Sequence, residues 1–386
     1  MKANYKILFN LIYLIITTLN SSCKSDLIER SIIINPEKAI EKDVLLSDFA
    51  KEITYIPLDN EIAIKQPNRI VITNDRIFIS ASPIGILAYD QNGNLLNNIG
   101  TRGRGPGEYL TGIYFATDQE NELMYIYSSK KILIYSFDGD FKRDFEINEP
   151  EYVGDIYFLN GRLYHAGGPR FDYDWVVYDT IGNIVSYKLN KIPSFVSGWG
   201  SYMGFATDNQ GLYYWNSYND TIFYIQDDHY QPKMFFARGE FRLPYKDYPR
   251  EDYGIHFNPV SLINTHKYLF ITYLMDQLTH VSYINKEDGR LFIIDRGADM
   301  SLFNRPGILN DLDAGPIFPP FYYHYENNEE FLVGWIYSHR LKTHVNSDTF
   351  KSSTPKYPEK KKELEELAAS LDENDNPVLM LVKLKE

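Results

Sequence analysis

Tyr89-Asp90-Gln91-Asn92-Gly93 is followed, at nearly constant spacing, by Tyr135-Ser136-Phe137-Asp138-Gly139 and Tyr178-Asp179-Thr180-Ile181-Gly182. A degenerate copy, Tyr224-Ile225-Gln226-Asp227-Asp228, and a copy with a longer turn, Tyr283-Ile284-Asn285-Lys286-Glu287-Asp288-Gly289, continue the series. The leading tyrosines lie 46, 43, 46 and 59 residues apart. Asn, Asp and Gly tolerate the positive φ angles of tight hairpin turns. Each phrase sits between β-rich runs, as Gly85-Ile86-Leu87-Ala88 and Asn94-Leu95-Leu96 flank the first. A second strand pair lies upstream in each unit, for example Arg69-Ile70-Val71-Ile72 and Arg76-Ile77-Phe78-Ile79 around Thr73-Asn74-Asp75. Four short antiparallel strands in about 40 to 50 residues make one propeller blade, and the period-2 patterning excludes a helical solenoid.

The fold expected is therefore all-β, a six-bladed β-propeller. Five blades fall near residues 65–100, 113–148, 153–190, 200–238 and 258–296. The sixth has to be assembled from both ends of the chain. Phe331 to Tyr337 and Val378 to Leu384 supply C-terminal strands; Val44-Leu45-Leu46 and Ile53 to Leu58 supply N-terminal ones. Such a closure removes the exposed sheet edges that invite aggregation. One short amphipathic helix interrupts the β pattern near the C-terminus. Between Glu359 and Leu371, residues Leu364, Leu367, Ala368 and Leu371 follow helical spacing, and Lys360-Lys361-Lys362 reads as its solvated face.

Composition agrees with this reading. Among 386 residues there are 32 Tyr and 23 Phe, with 24 Gly and 19 Pro, as expected for many strands joined by turns. A net charge of −13 without a basic stripe argues against nucleic acid as a partner, because that affinity comes from Lys and Arg neutralising phosphates.

The N-terminus predicts an address. A basic Met1-Lys2-Ala3-Asn4-Tyr5-Lys6, an apolar run from Ile7 to Ile16, and Thr17 to Ser22 have the three parts of a secretory signal. The apolar run is too short to cross a bilayer, which takes about 20 helical residues. Cys23, the single cysteine, stands where a lipoprotein signal places its acylated residue and has no partner for an internal disulfide. The expected layout is a lipoprotein signal peptide over 1–22, a tether over 23–43 and a propeller over 44–386, with Cys23 lipidated.

Gly100-Thr101-Arg102-Gly103-Arg104-Gly105-Pro106-Gly107-Glu108-Tyr109 resembles the inter-blade loop of the six-bladed, NHL-like propeller lipoproteins common in Bacteroidetes. Leu46-Ser47-Asp48-Phe49, Asn310-Asp311-Leu312-Asp313-Ala314-Gly315 and Asn376-Pro377-Val378-Leu379 look like that family too, so the resemblance spans essentially the whole mature chain. It implies an envelope protein held by lipid at the outer membrane, on its periplasmic or its surface side, and is nearly silent on activity.

Candidate site residues follow from side-chain chemistry. Arg102 and Arg104 in the glycine-rich loop suggest an anion cradle, although no P-loop spacing is present and an inter-blade turn explains the glycines. Trp199 and Trp215, with Trp175 and Trp335, suggest aromatic platforms for a sugar, against the alternative of blade packing. Gly315 to Tyr323 is an apolar-aromatic stretch suited to a channel rim. Asp311-Leu312-Asp313-Ala314-Gly315 carries a fragment of calcium-loop rhythm, but Ala314 and Tyr322 stand where ligands are required. The histidines show no metal-ligand spacing and there is no nucleophile elbow, so no metal, cofactor or catalytic residue is expected from motifs. A binding module for a glycan, peptide or protein is the first expectation. The alternative is a hydrolase or lyase sited in the channel. The two differ in whether His, Asp and Glu converge on the axis.

Overall fold

The structure is a computed structural model. It describes residues 31–385 apart from 111–113, 150–153, 169–170, 193–200, 209–210, 227–228, 247–248, 250–251, 253, 298 and 301–305.

The described chain opens with β1 (Ile32–Ile34) and β2 (Ile40–Glu41), then helix α1 (Leu46–Phe49) and β3 (Ala50–Pro57). Five four-stranded antiparallel meanders follow. Blade one is β4 (Pro67–Ile72), β5 (Arg76–Ala81), β6 (Gly85–Asp90) and β7 (Leu95–Ile99). Blade two is β8 (Phe115–Asp118), β9 (Leu123–Ser128), β10 (Lys131–Ser136) and β11 (Phe141–Glu146). Blade three is β12 (Asp155–Leu159), β13 (Arg162–Ala166), β14 (Tyr173–Tyr178) and β15 (Ile184–Leu189). Blade four is β16 (Met203–Thr207), β17 (Leu212–Asn216), β18 (Thr221–Gln226) and β19 (His229–Phe236). Blade five is β20 (Asn258–Asn264), β21 (Tyr268–Met275), β22 (Leu278–Asn285) and β23 (Leu291–Arg296). Blade six combines β24 (Tyr322–Glu326), β25 (Glu329–Ile336) and β26 (Val378–Leu384) with β3 from the N-terminal side. The last pairing, Val378 with Pro57 through Lys383 with Glu52, closes the ring between the two ends of the chain. Around the axis the first strands touch in the order β8, β12, β16, β20, β24 and β4.

The recurring phrase has two jobs. Its tyrosine fills the core: Tyr89, Tyr135 and Tyr178 are all buried. Its glycine turns the chain at positive φ, +86° at Gly93 and +91° at Gly139, and seats the hairpin on the preceding blade. A Cβ on Gly93 would strike the Pro57 carbonyl of blade six, and one on Gly139 the Asn98 carbonyl of blade one. Local turn chemistry and blade-to-blade packing thus select the same residue. Six apolar clusters result, one between each pair of successive blades.

Three expectations need correction. The strand-like Val44-Leu45-Leu46 is a single bridge from Leu45 to Leu309 that runs into α1, because Asp48 accepts a hydrogen bond from the Leu45 amide and starts a helical turn. Residues 32–41 of the supposed tether are fastened to the molecule. β1 adds a fifth, parallel strand to blade four, and β2 adds one to blade five. The single helix expected near the C-terminus is one of three: α2 (Ser338–Asn346), α3 (Asp348–Ser352) and α4 (Pro358–Ser370). They lie between β25 and β26 and share a small core of Leu341, Phe350, Leu364, Ala368 and Leu371 on Val378. The charge-rich sequence of α2 gave no sustained apolar period.

Blade three buries a histidine. His165 on β13 has no exposed surface, packs edge-on to Tyr178 at 5.2 Å, and leaves both ring nitrogens without a partner. Burial pushes its pKa down to about 3. The folded value lies below the unfolded one near 6.5, so the unfolded chain takes up the proton first as pH falls. Stability is intact above pH 6.5 and is lost progressively below it, by about 2 kcal/mol at pH 5 from this residue. Denaturant melts at pH 7 and pH 5 are expected to differ by about that much less in His165→Phe than in the wild type.

Candidate functional site

Two cavities meet where the inner strands begin. The outer one, about 560 Å³, is lined by Gln66, Pro67 and Asn68 at the start of blade one, Tyr202 before β16, and Val260 of β20. Its far walls are Pro316, Ile317, Pro319 and Phe321 on one side and Trp335, Ile336, Tyr337, Arg340 and His344 on the other. The inner one, about 290 Å³, occupies the mouth of the channel and shares Asn68, Val260 and Phe321 with the first. A volume of this order suits a drug-sized molecule or a few linked rings.

The walls are set by the rest of the fold. Trp335 is the last residue but one of β25, whose pairing with β26 places it opposite Leu379. Tyr337 caps α2 and meets the Trp335 ring edge-on at 4.9 Å, so each aromatic fixes the other. The Arg340 guanidinium lies 5.7 Å from the Tyr337 ring, and His344 Nε2 makes a 2.8 Å bond with the Ala314 carbonyl that ties α2 to the opposite wall. That wall hangs on a buried carboxylate. Asp313 Oδ1 accepts bonds from Asn310 Nδ2 at 2.7 Å, the Gly315 amide at 2.8 Å and the Tyr55 hydroxyl at 3.3 Å. Burial pushes its pKa up, and those three donors pull it part of the way back. Asp311 accepts a 2.9 Å bond from the Ser47 amide. The segment with calcium-loop rhythm is therefore a lead-in turn, its carboxylates engaged by the chain's own donors.

Polar chemistry in the pocket is sparse and mostly donating. Asn68 Nδ2 is buried and unpartnered where the two cavities join. Below it an ion pair joins blades one and three across the channel, Arg69 Nη1 to Asp155 Oδ1 at 2.5 Å. Arg69 Nη2 donates to the Ile156 carbonyl at 3.0 Å, and Asp155 Oδ2 accepts from the Phe205 amide at 3.0 Å. Burial works against the Arg69 charge, but Asp155 overcomes it and raises the guanidinium pKa. Burial raises the phenols of Tyr157 and Tyr322 beside the pair. The carboxylate here is already neutralised and hydrogen-bonded, a latch between blades one, three and four. Among the described residues, no three His, Cys, Asp or Glu side chains gather where they could hold a metal.

Of the residues singled out from sequence, Trp335 and the rim stretch meet in the outer cavity and Trp215 lines the inner one, while Arg102 and Arg104 lie elsewhere. Arg102 clamps its own loop, donating from Nε to the Leu110 carbonyl at 3.0 Å and from Nη1 to the Pro83 carbonyl at 2.5 Å. Arg104 is exposed along a shallow groove with Lys131 and Phe141. Trp215 is 3% exposed, packs in the core between blades four and five, and also lines the inner cavity. Trp199 and Cys23 lie outside the described residues. The rim stretch does line the pocket through Pro316, Ile317, Pro319 and Phe321, although Tyr322 and Tyr323 belong to β24. Gln66, Asn68, Tyr202, Tyr337, Arg340 and His344 carried no motif. The 41-residue excursion between β25 and β26, where other hairpins need a few residues, was the available signal.

Comparison with known proteins places the fold and little else. A Bacteroides fragilis protein described as a candidate exported protein superposes with a TM-score of 0.66 at 18% identity, covering 92% of this chain and 99% of that one. A DUF4221-family protein from Bacteroides vulgatus gives 0.50 at 10% identity over 87% and 97%. No curated protein matches the chain. A family model described as a domain of unknown function, DUF4934, matches residues 31–383, and the chain with its six-bladed ring belongs to that family.

Proposed function

We propose that this chain is an outer-membrane lipoprotein, anchored through Cys23, whose propeller is a binding module. Its ligand enters the pocket between Trp335 and Phe321. The reading rests above all on that pocket: aromatic and proline walls, an unpartnered amide donor at its inner end, and no carboxylate among the described residues that line it. Such walls suit the flat faces of a sugar or the rings of a peptide, with Asn68 donating to a hydroxyl or carbonyl. A channel enzyme is less well supported, because Asp155 is bound to Arg69 and to backbone amides.

Screening glycan and peptide arrays with the purified protein tests the binding role. Trp335→Ala is expected to weaken the best hit by about thirtyfold, the loss of roughly 2 kcal/mol typical of a central aromatic contact. Trp335 also packs on the apolar core between blades six and one, so the melting temperature should fall as well, and affinities are compared well below both melting points. The anchor is tested separately by labelling cells with a palmitate analogue, where Cys23→Ala should lose the label and leave the membrane fraction.

A further inference from the structure

Each blade's outermost strand is an edge that has to be covered, blunted or used. Blades four and five have theirs covered by β1 and β2. Blade two presents Lys142, Arg143, Asp144 and Glu146, blade six Lys51 and Glu52, and blade one the amides of Asn97 and Asn98. Among the described residues, blade three offers none of these. Along β15, Ile184, Val185, Tyr187 and Leu189 are 49%, 40%, 55% and 53% exposed, and Ile181 in the preceding turn is 65% exposed. The one charged residue of the strand, Lys188, is turned inward onto Asp174 and the rings of Trp175, Phe223 and Tyr230. An edge whose exposed side chains are Ile184, Val185, Tyr187 and Leu189 is the arrangement that edge-protecting devices exist to avoid.

We propose that this edge is a self-association surface, taken by β15 of a second copy of this chain in antiparallel register about a two-fold axis through Tyr187. The sequence is self-complementary about that residue. Tyr187 lies opposite its own mate, Val185 opposite Leu189, and Ser186 opposite Lys188. Val185, Tyr187 and Leu189 share one side of the strand, so the pairing stacks three apolar cross-strand pairs on that side. No like charges meet, because each Lys188 ammonium is held by its own Asp174. A second copy also presents the same unpaired amides and carbonyls and joins two four-stranded blades into one eight-stranded sheet. A two-fold interface of this kind is closed and stops at the dimer. It is a small interface, and association is expected at concentrations of about 10 to 100 µM.

The test is sedimentation velocity on residues 23–386 carrying Cys23→Ser. The weight-average mass should rise from the monomer value toward the dimer value between about 1 and 100 µM. Tyr187→Lys should abolish the change while keeping the wild-type melting temperature, since it alters an exposed side chain. Directly opposed residues of an antiparallel pair have Cα atoms about 4.5 to 5.5 Å apart, within disulfide range. Tyr187→Cys should therefore cross-link to a covalent dimer under mild oxidation. A chain that stays monomeric throughout that range, or a dimer that neither Tyr187→Lys disrupts nor Tyr187→Cys traps, would overturn the proposal.

Discussion

Ending the chain after Pro377 is expected to leave no cooperatively folded protein. The deleted strand, β26, lies inside blade six, hydrogen-bonded to β25 on one side and to β3 on the other. Among the described residues it is also the strand that ties β3 into the sheet of blade six. Val378, Leu379, Met380, Val382 and Leu384 on it are buried, and they belong to clusters reaching blades five and one and the helical insertion. At about 2 kcal/mol for each buried aliphatic side chain the loss is about 10 kcal/mol, comparable to the whole net stability of a typical domain. Blade six would then expose the facing edges of β25 and β3, and the truncated chain should aggregate. Circular dichroism melts and size exclusion check this. A cooperative transition in the truncated chain would mean that the ring closes without β26.

Lys188→Met should be the most damaging single change, costing about 3 to 5 kcal/mol. Asp174 has no exposed surface, and its carboxylate is held by Lys188 together with long bonds from Tyr214 Oη at 3.5 Å and Asn216 Nδ2 at 3.4 Å. Met fills the aromatic cage about as well as the lysine stem, so the cost arises almost entirely from an uncompensated buried carboxylate. Adding Asp174→Asn should therefore recover most of the loss, and the two mutations together should cost less than Lys188→Met alone. pH provides a second signature. Burial already pushes the Asp174 pKa up, and removing Lys188 pushes it further in the same direction. A folded value above the unfolded one means the folded state holds its proton more tightly. The deficit of Lys188→Met relative to wild type should thus be full above the raised folded value and shrink as pH falls toward the unfolded value near 4. Denaturant unfolding of the wild type, each single mutant and the double mutant at two pH values measures both effects. A deficit independent of pH would place its origin in packing instead.

The ring was legible in the sequence because one residue serves two levels at once. Gly93 and Gly139 are needed by their hairpins and also by the preceding blade, so the phrase recurs at blade spacing wherever the packing recurs. Ile53 to Leu58 and Val378 to Leu384 could be assigned to one blade because both were strands left over after five repeats. The candidate site was not legible in this way. Trp335 and the Pro316 to Phe321 rim are apolar stretches that suit a core equally well. Arg340 and His344 acquire their positions from α2, whose docking depends on the Ala314 carbonyl and on Asp313 beneath it. Arg102 misled for the opposite reason: its glycine-rich setting suggests an anion, whereas its donors are occupied by two carbonyls of neighbouring turns. The path of β1 and β2 was hidden because three isoleucines followed by Pro36 look as much like a linker as like an edge strand.

Hydrogen–deuterium exchange with the tightest hit from the glycan and peptide arrays puts the binding role of the pocket to its most direct test. Protection is predicted on both walls, Pro316 to Phe321 and Trp335 to His344, and at Asn68. Protection confined to other parts of the molecule, with these walls unchanged at saturation, would contradict it.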